Sequence, residues 1–169
     1  MGNLIRLYVH QMDQISRWVG LVAMNLVFVL IGVLLLSAIA RNLIDIPLHW
    51  CIEFAQFTLA AYYFAGGAYS LNNDSHVRMD LIYSHLSDKA KARLDVLTDL
   101  CLMFFLTVLL IGSISSTRYA IETNQRNFSI WNPSMVPIKV IMVCAIVLML
   151  MQALSIFFKD VAKARGAHL

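Results

Sequence analysis

The residues with the most chemical potential form one short run, His76-Val77-Arg78-Met79-Asp80. Their alternation puts His76, Arg78 and Asp80 on one side of an extended stretch. A histidine and a carboxylate can exchange a proton, and an Arg beside an Asp can form a charge-assisted pair. The run supplies no oxyanion site and no metal partner, so it reads as a polar cluster rather than a catalytic one. The cysteines, Cys51, Cys101 and Cys144, form no CxxC or Cys/His spacing, and three cannot all pair. They are expected to be apolar packing residues. His49 and His76 lie at or beyond the ends of an apolar run, and His10, His85 and His168 lie in polar segments, so no histidine is placed to hold haem inside a bundle. The expectation is a chain that is not an enzyme and has no metal or cofactor of its own.

The elements that must position these residues are membrane helices. Of 169 residues, 60% are hydrophobic and 14% charged, where soluble domains run nearer a quarter charged. A large catalytic head is excluded, because no polar stretch is long enough for a separate domain. Four runs approach the roughly 20 apolar residues that cross a bilayer: 18–40, 54–71, 97–117 and 140–158. The predicted fold is all-α, a single membrane domain with four spans. Ala38-Ile39-Ala40 imitates a signal-peptidase site, but the first run exceeds the h-region of about 7–15 residues, so it is expected to be retained.

Lys and Arg set the orientation. Nine of the 13 (Arg6, Arg17, Arg78, Lys89, Lys91, Arg93, Lys159, Lys163 and Arg165) fall in the two termini and the middle loop. Four (Arg41, Arg118, Arg126 and Lys139) fall on the other side. Both termini are therefore expected in the cytoplasm. This spread of charge suits loops at an anionic membrane, not a nucleic-acid surface. Leu4, Tyr8, Met12, Ile15 and Val19 recur at helical spacing and predict an amphipathic helix on the cytoplasmic surface before span one. Ser87 predicts an N-cap for another, with Ala90, Leu94 and Leu97 on one face, running along the interface before turning into span three.

None of the four runs carries an ionisable residue near its centre, and Glu53 and Asp99 sit at span ends. Such residues mark ion pathways, so no ion-coupling site is expected here. Span two differs from the rest. It interleaves Phe54, Phe57, Tyr62, Tyr63, Phe64 and Tyr69 with Ala and Gly, and it contains the small-xxx-small pairs Ala61/Ala65 and Gly66/Ser70. It should pack on protein, either within its own bundle or against a larger membrane subunit. Between spans three and four, Trp131 suits an interfacial anchor, and Pro133 and Pro137 suit a turn and a first helical turn. Asn127-Phe128-Ser129 matches a glycosylation acceptor, a match common by chance. The exposed Arg118, Glu122, Arg126 and Lys139 are expected to be solvated.

Taken together, Trp50-Cys51-Ile52-Glu53, Gly66-Gly67-Ala68-Tyr69, the His76–Asp80 run, Trp131-Asn132-Pro133, Pro137-Ile138-Lys139 and Gln152-Ala153-Leu154 resemble the small membrane subunit of TRAP transporters, the DctQ-type family. The resemblance covers nearly the whole chain, and the His-Val-Arg-x-Asp run is its most specific part. It implies a tripartite system of the inner membrane. A periplasmic binding protein captures an organic anion, usually a carboxylate, and a large membrane subunit imports it with sodium. The small subunit binds the large one as a fixed scaffold. Glu53, Gly67, His76, Arg78 and Asp80 would then shape the contact between subunits, and Trp131 would set the tilt of span four. Many members carry two adjacent acids where this chain has Ile52-Glu53, so Glu53 alone would carry that role. Two other classes share the size: a membrane anchor of a respiratory or redox complex, and a stand-alone small transporter.

Overall fold

The computed structural model describes residues 2–43, 45–46, 48–72 and 88–164. Among them the chain forms four helices: α1 (Gly2–Leu43), α2 (His49–Asn72), α3 (Asp88–Glu122) and α4 (Val136–Ala164). Runs of Leu, Val and Ile become helices here because a backbone surrounded by apolar medium must satisfy its hydrogen bonds within itself. α1 ends at a residue in the left-handed region, Asp45 (φ 56°), and the Ile46 N–H reaches back to the Ala40 carbonyl at 3.1 Å. α3 ends in the same way at Asn124 (φ 47°). The Gln125 N–H donates to the Ala120 carbonyl (2.9 Å) and the Asn124 N–H to that of Ile121 (3.3 Å), which is a Schellman closure. Pro137 stands in the first turn of α4, where its missing N–H costs nothing.

Among the described residues three segments are long and apolar enough to cross a membrane: Leu7–Leu43, Leu94–Glu122 and Val136–Ala162. α2, at 24 residues, has the length, but Glu53, Gln56 and its tyrosines and glycines lower its hydropathy, and it is not among the three. The two interfacial helices expected from the sequence do not form as separate elements. α1 is unbroken over 42 residues, about 63 Å at 1.5 Å per residue, roughly twice the hydrocarbon thickness. No Pro or Gly lies between Gly2 and Gly20 to turn the chain. α3 likewise runs straight from Asp88 into its apolar stretch, and Ser87, its expected cap, lies outside the described residues.

α4 is the hub. It packs extensively on α3, less on α2 and least on α1, while α1 and α2 form the other large pair. α3 meets chiefly α4, so the helices form an open array rather than a closed bundle. The buried residues are mostly small: Ala23, Ala40, Cys51, Ala55, Ala68, Ala120 and Ala153, with Leu71, Leu106 and Ile146. Small residues let backbones approach, which is how helices associate where lipid competes for apolar contact. The large side chains point out, among them Trp18, Phe28, Phe104 and Ile111. Cys101 and Cys144 are exposed with them, so of the three cysteines expected to pack, Cys51 alone is buried.

Glycine marks the two closest approaches. A Cβ on Gly20 of α1 would overlap the Tyr69 ring of α2, including its Cβ and Cγ. A Cβ on Gly67 of α2 would lie 2.8 Å from the Met149 sulfur of α4. The expected Gly66/Ser70 pair is not the contact, because Gly66 faces open space. Replacing Gly20 by Ala should cost about 1–3 kcal/mol, since the ring root cannot swing aside without moving a helix. Gly32→Ala, which meets nothing within 4 Å, is the control. Thermal denaturation in detergent should show a clear loss for the first and none for the second.

Candidate functional site

The sequence-derived site divides. His76, Arg78 and Asp80 lie outside the described residues. Glu53, in the first turns of α2, is buried at 7% exposure. Its Oε2 is sealed from solvent with no hydrogen-bond partner, and a buried carboxylate oxygen left that way is costly. Gly67 lies against Met149 within the same chain. Trp131 is exposed in the loop between α3 and α4.

On α2, the residues not covered by α1 and α4 form a stripe at helical spacing. Ile52, Gln56, Leu59 and Tyr63 are all exposed, Tyr63 at 68%. A carboxamide and a phenol on the outer face of a helix packed on α1 and α4 suit protein better than hydrocarbon. Glu53 adjoins this stripe in sequence, one residue after Ile52.

The strongest polar arrangement among the described residues was not paired by sequence reasoning. Asp13 accepts from Lys159 Nζ at 2.8 and 3.0 Å, and from Gln152 Nε2 at 3.0 Å. Ser16 Oγ donates to Gln152 Oε1 at 2.8 Å, fully buried. Tyr8 Oη donates to the Met151 carbonyl at 2.9 Å. Three residues of α1, spread over residues 8–16, thus clamp residues 151–159 of α4. Both amide atoms of Gln152 are engaged, so the clamp fixes the rotation and the register of the pair. The sequence shows the parts, since Asp13 stands off the apolar face of α1 and Gln152 interrupts span four. The pairing spans 139 residues and has no local signature.

A second cluster holds α3 to α4 at the opposite end. Lys139 Nζ donates to Ser116 Oγ (3.0 Å), the Ser116 carbonyl (3.3 Å) and Gln125 Oε1 (2.8 Å). Lys139 was expected as a solvated loop charge. It is instead a half-buried tie, because one turn into α4 its ammonium reaches the last turns of α3. Arg118 and Glu122 form an exposed i,i+4 pair at 2.8 Å, which contributes little to stability. Among the described residues no three His, Cys, Asp or Glu side chains gather into a possible metal site. The arrangement holds helices at fixed spacing and presents one polar-edged face on α2.

A family model described as "Tripartite ATP-independent periplasmic transporters, DctQ component" matches residues 30–163. The match takes in α2, α3 and most of α4, including Gln152 and Lys159, and leaves out the first two thirds of α1, which carry Asp13 and Ser16. Comparison with curated proteins and with solved structures gives no match.

Gln152→Leu removes both arms of the buried amide and strands Ser16. The expected loss is about 1–3 kcal/mol, the cost of an unsatisfied buried polar group. In a double-mutant cycle with Ser16→Ala, unfolding in detergent should give a coupling of about 0.6–1.7 kcal/mol, the range for interhelical bonds in membranes. Additive effects would show that the pair carries no energy.

Proposed function

This chain belongs to the DctQ family of tripartite ATP-independent periplasmic transporter components, and from that premise we propose that it is the small scaffold subunit of a sodium-coupled importer of organic anions, carboxylates foremost. It works beside a large membrane subunit, which carries the substrate and sodium sites, and with a periplasmic binding protein. It lies in the bacterial inner membrane with four spans, α2 crossing as well as the three more apolar helices, and with both termini cytoplasmic, as the distribution of Lys and Arg favours.

The observation that carries this reading is the outer face of α2. α1, α3 and α4 each hold a segment long and apolar enough to cross a membrane, and α2 falls short of them in hydropathy. Its exposed Gln56 and Tyr63, with the sealed Glu53 next to the stripe, call for a protein neighbour at membrane depth. The large subunit supplies that neighbour. Glu53, His76, Arg78 and Asp80 shape the contact, and Gly67 serves it indirectly by setting the spacing of α2 on α4. The DctQ family is a transporter component and not an enzyme family, and the redox-anchor alternative finds no support in the match.

Purification from native membrane in mild detergent, followed by mass spectrometry, should bring a stoichiometric large polytopic partner with the chain. Recovery of the chain alone, or with a redox enzyme, contradicts the proposal. Within the complex, Arg78→Ala and Asp80→Ala should each lower complex yield and substrate uptake. If neither changes either quantity, the loop has no part in the interface.

A further inference from the structure

The loop between α3 and α4 ends in apolar side chains that nothing in the chain covers. Phe128 is fully exposed and Ile130 is 79% exposed. Both stand on the bend formed by residues 128–131 and line one open cleft. We propose that this loop is a membrane-surface anchor whose tip, Phe128 and Ile130, rests in the lipid headgroup layer alongside Tyr119 and Trp131.

Three observations carry it. First, the tip is held by many bonds. The Asn127 N–H donates to the Pro133 carbonyl (3.0 Å) and the Met135 N–H to that of Gln125 (3.0 Å), around an antiparallel bridge of Arg126 with Ser134. Asn132 sits in the left-handed region (φ 49°) with its N–H on Ser129 Oγ at 3.2 Å. Lys139 pins the base through Gln125 at 2.8 Å. A loop ordered in this way presents its apolar side chains with little further entropy to lose on binding. Second, the tip lies beside α3 rather than beyond it, because Phe128 and Ile130 share one open cleft with Tyr119 of the last turn of α3. The loop joins two segments, Leu94–Glu122 and Val136–Ala162, each long and apolar enough to cross a membrane, so both of its ends are tied to candidate crossings. Third, the composition is that of the interface. Tyr119, Phe128, Ile130 and the exposed Arg126 line the same cleft, and Ile121 and Trp131 are exposed as well. Aromatic rings prefer the headgroup layer, and a guanidinium there meets lipid phosphate. A water-facing loop gains nothing from a rigid, uncovered Phe and Ile.

The inference needs α3 and α4 to cross a bilayer and does not depend on which subunit accompanies the chain. It is tested with Phe128→Trp in the full chain, with Trp18, Trp50 and Trp131 replaced by Phe, reconstituted with its co-purifying subunit in phosphatidylcholine nanodiscs. Emission should lose most of its intensity to brominated phosphatidylcholine and little to acrylamide. Quenching by acrylamide alone places the tip in water and overturns the proposal. Weak quenching by both means that a protein surface covers the tip, and overturns it equally. Should the Phe128→Trp chain fail to assemble, native Trp131, kept as the single tryptophan, is read with the same two quenchers and the same three outcomes.

Discussion

A polar group in an apolar medium must find a partner inside the protein, and the arrangement of this chain follows from where those partners are. Asp13 and Ser16 of α1 find Gln152 and Lys159 of α4. Lys139 of α4 finds Ser116 of α3 and Gln125 of the loop. α4 is thereby fixed near both ends, to a different helix each time. Between the two ties the contacts are small apolar residues that specify little by themselves. A slip of α1 by one turn would strand both atoms of the Gln152 amide in a buried site, at a cost of about 1–3 kcal/mol for each unsatisfied group. The polar clamp therefore selects one register among several that apolar packing would allow.

α2 carries polar groups on a face that no other helix of the chain covers. It is pinned on one side by Gly20 against Tyr69 and by Gly67 against Met149, and its other side carries Ile52, Gln56, Leu59 and Tyr63 outward. Glu53 keeps a buried oxygen without a partner. A subunit that folds as a frame and leaves one face incomplete is suited to holding another subunit. That division of labour agrees with membership of a transporter component family and with the absence of an ionisable residue at the centre of any apolar run.

Much of this was legible in the sequence, for a definite reason. Apolar runs such as 18–40 and 140–158 identify helices because the length of a crossing is set by the bilayer. The extension of α1 and α3 beyond those runs was misread. A change from apolar to amphipathic pattern suggests a bend, yet helices bend chiefly at Pro or Gly, and neither lies between Gly2 and Gly20. Gly67 rather than Gly66 makes the close contact, a distinction fixed by the rotation of α2 that sequence periodicity cannot supply. Lys139 looked like a loop charge because its acceptors come from α3 and the loop's far side. The Asp13–Gln152–Ser16 pairing joins distant residues and became visible only once α1 lay against α4. The His76–Asp80 run, the most specific part of the family resemblance, lies outside the described residues.

The central claim is that this chain is a fixed frame, with transport movement confined to its partner. The most direct test places spin labels at Leu35 of α1 and Val147 of α4, both exposed, after replacing the three native cysteines. The α1–α4 distance is then measured in the assembled transporter with and without sodium and substrate. A frame predicts one unchanged distance distribution, while labels within the large subunit report movement under the same conditions. A shift of the α1–α4 distance on adding sodium and substrate would mean that this chain moves with the transport cycle, and the scaffold account would be wrong.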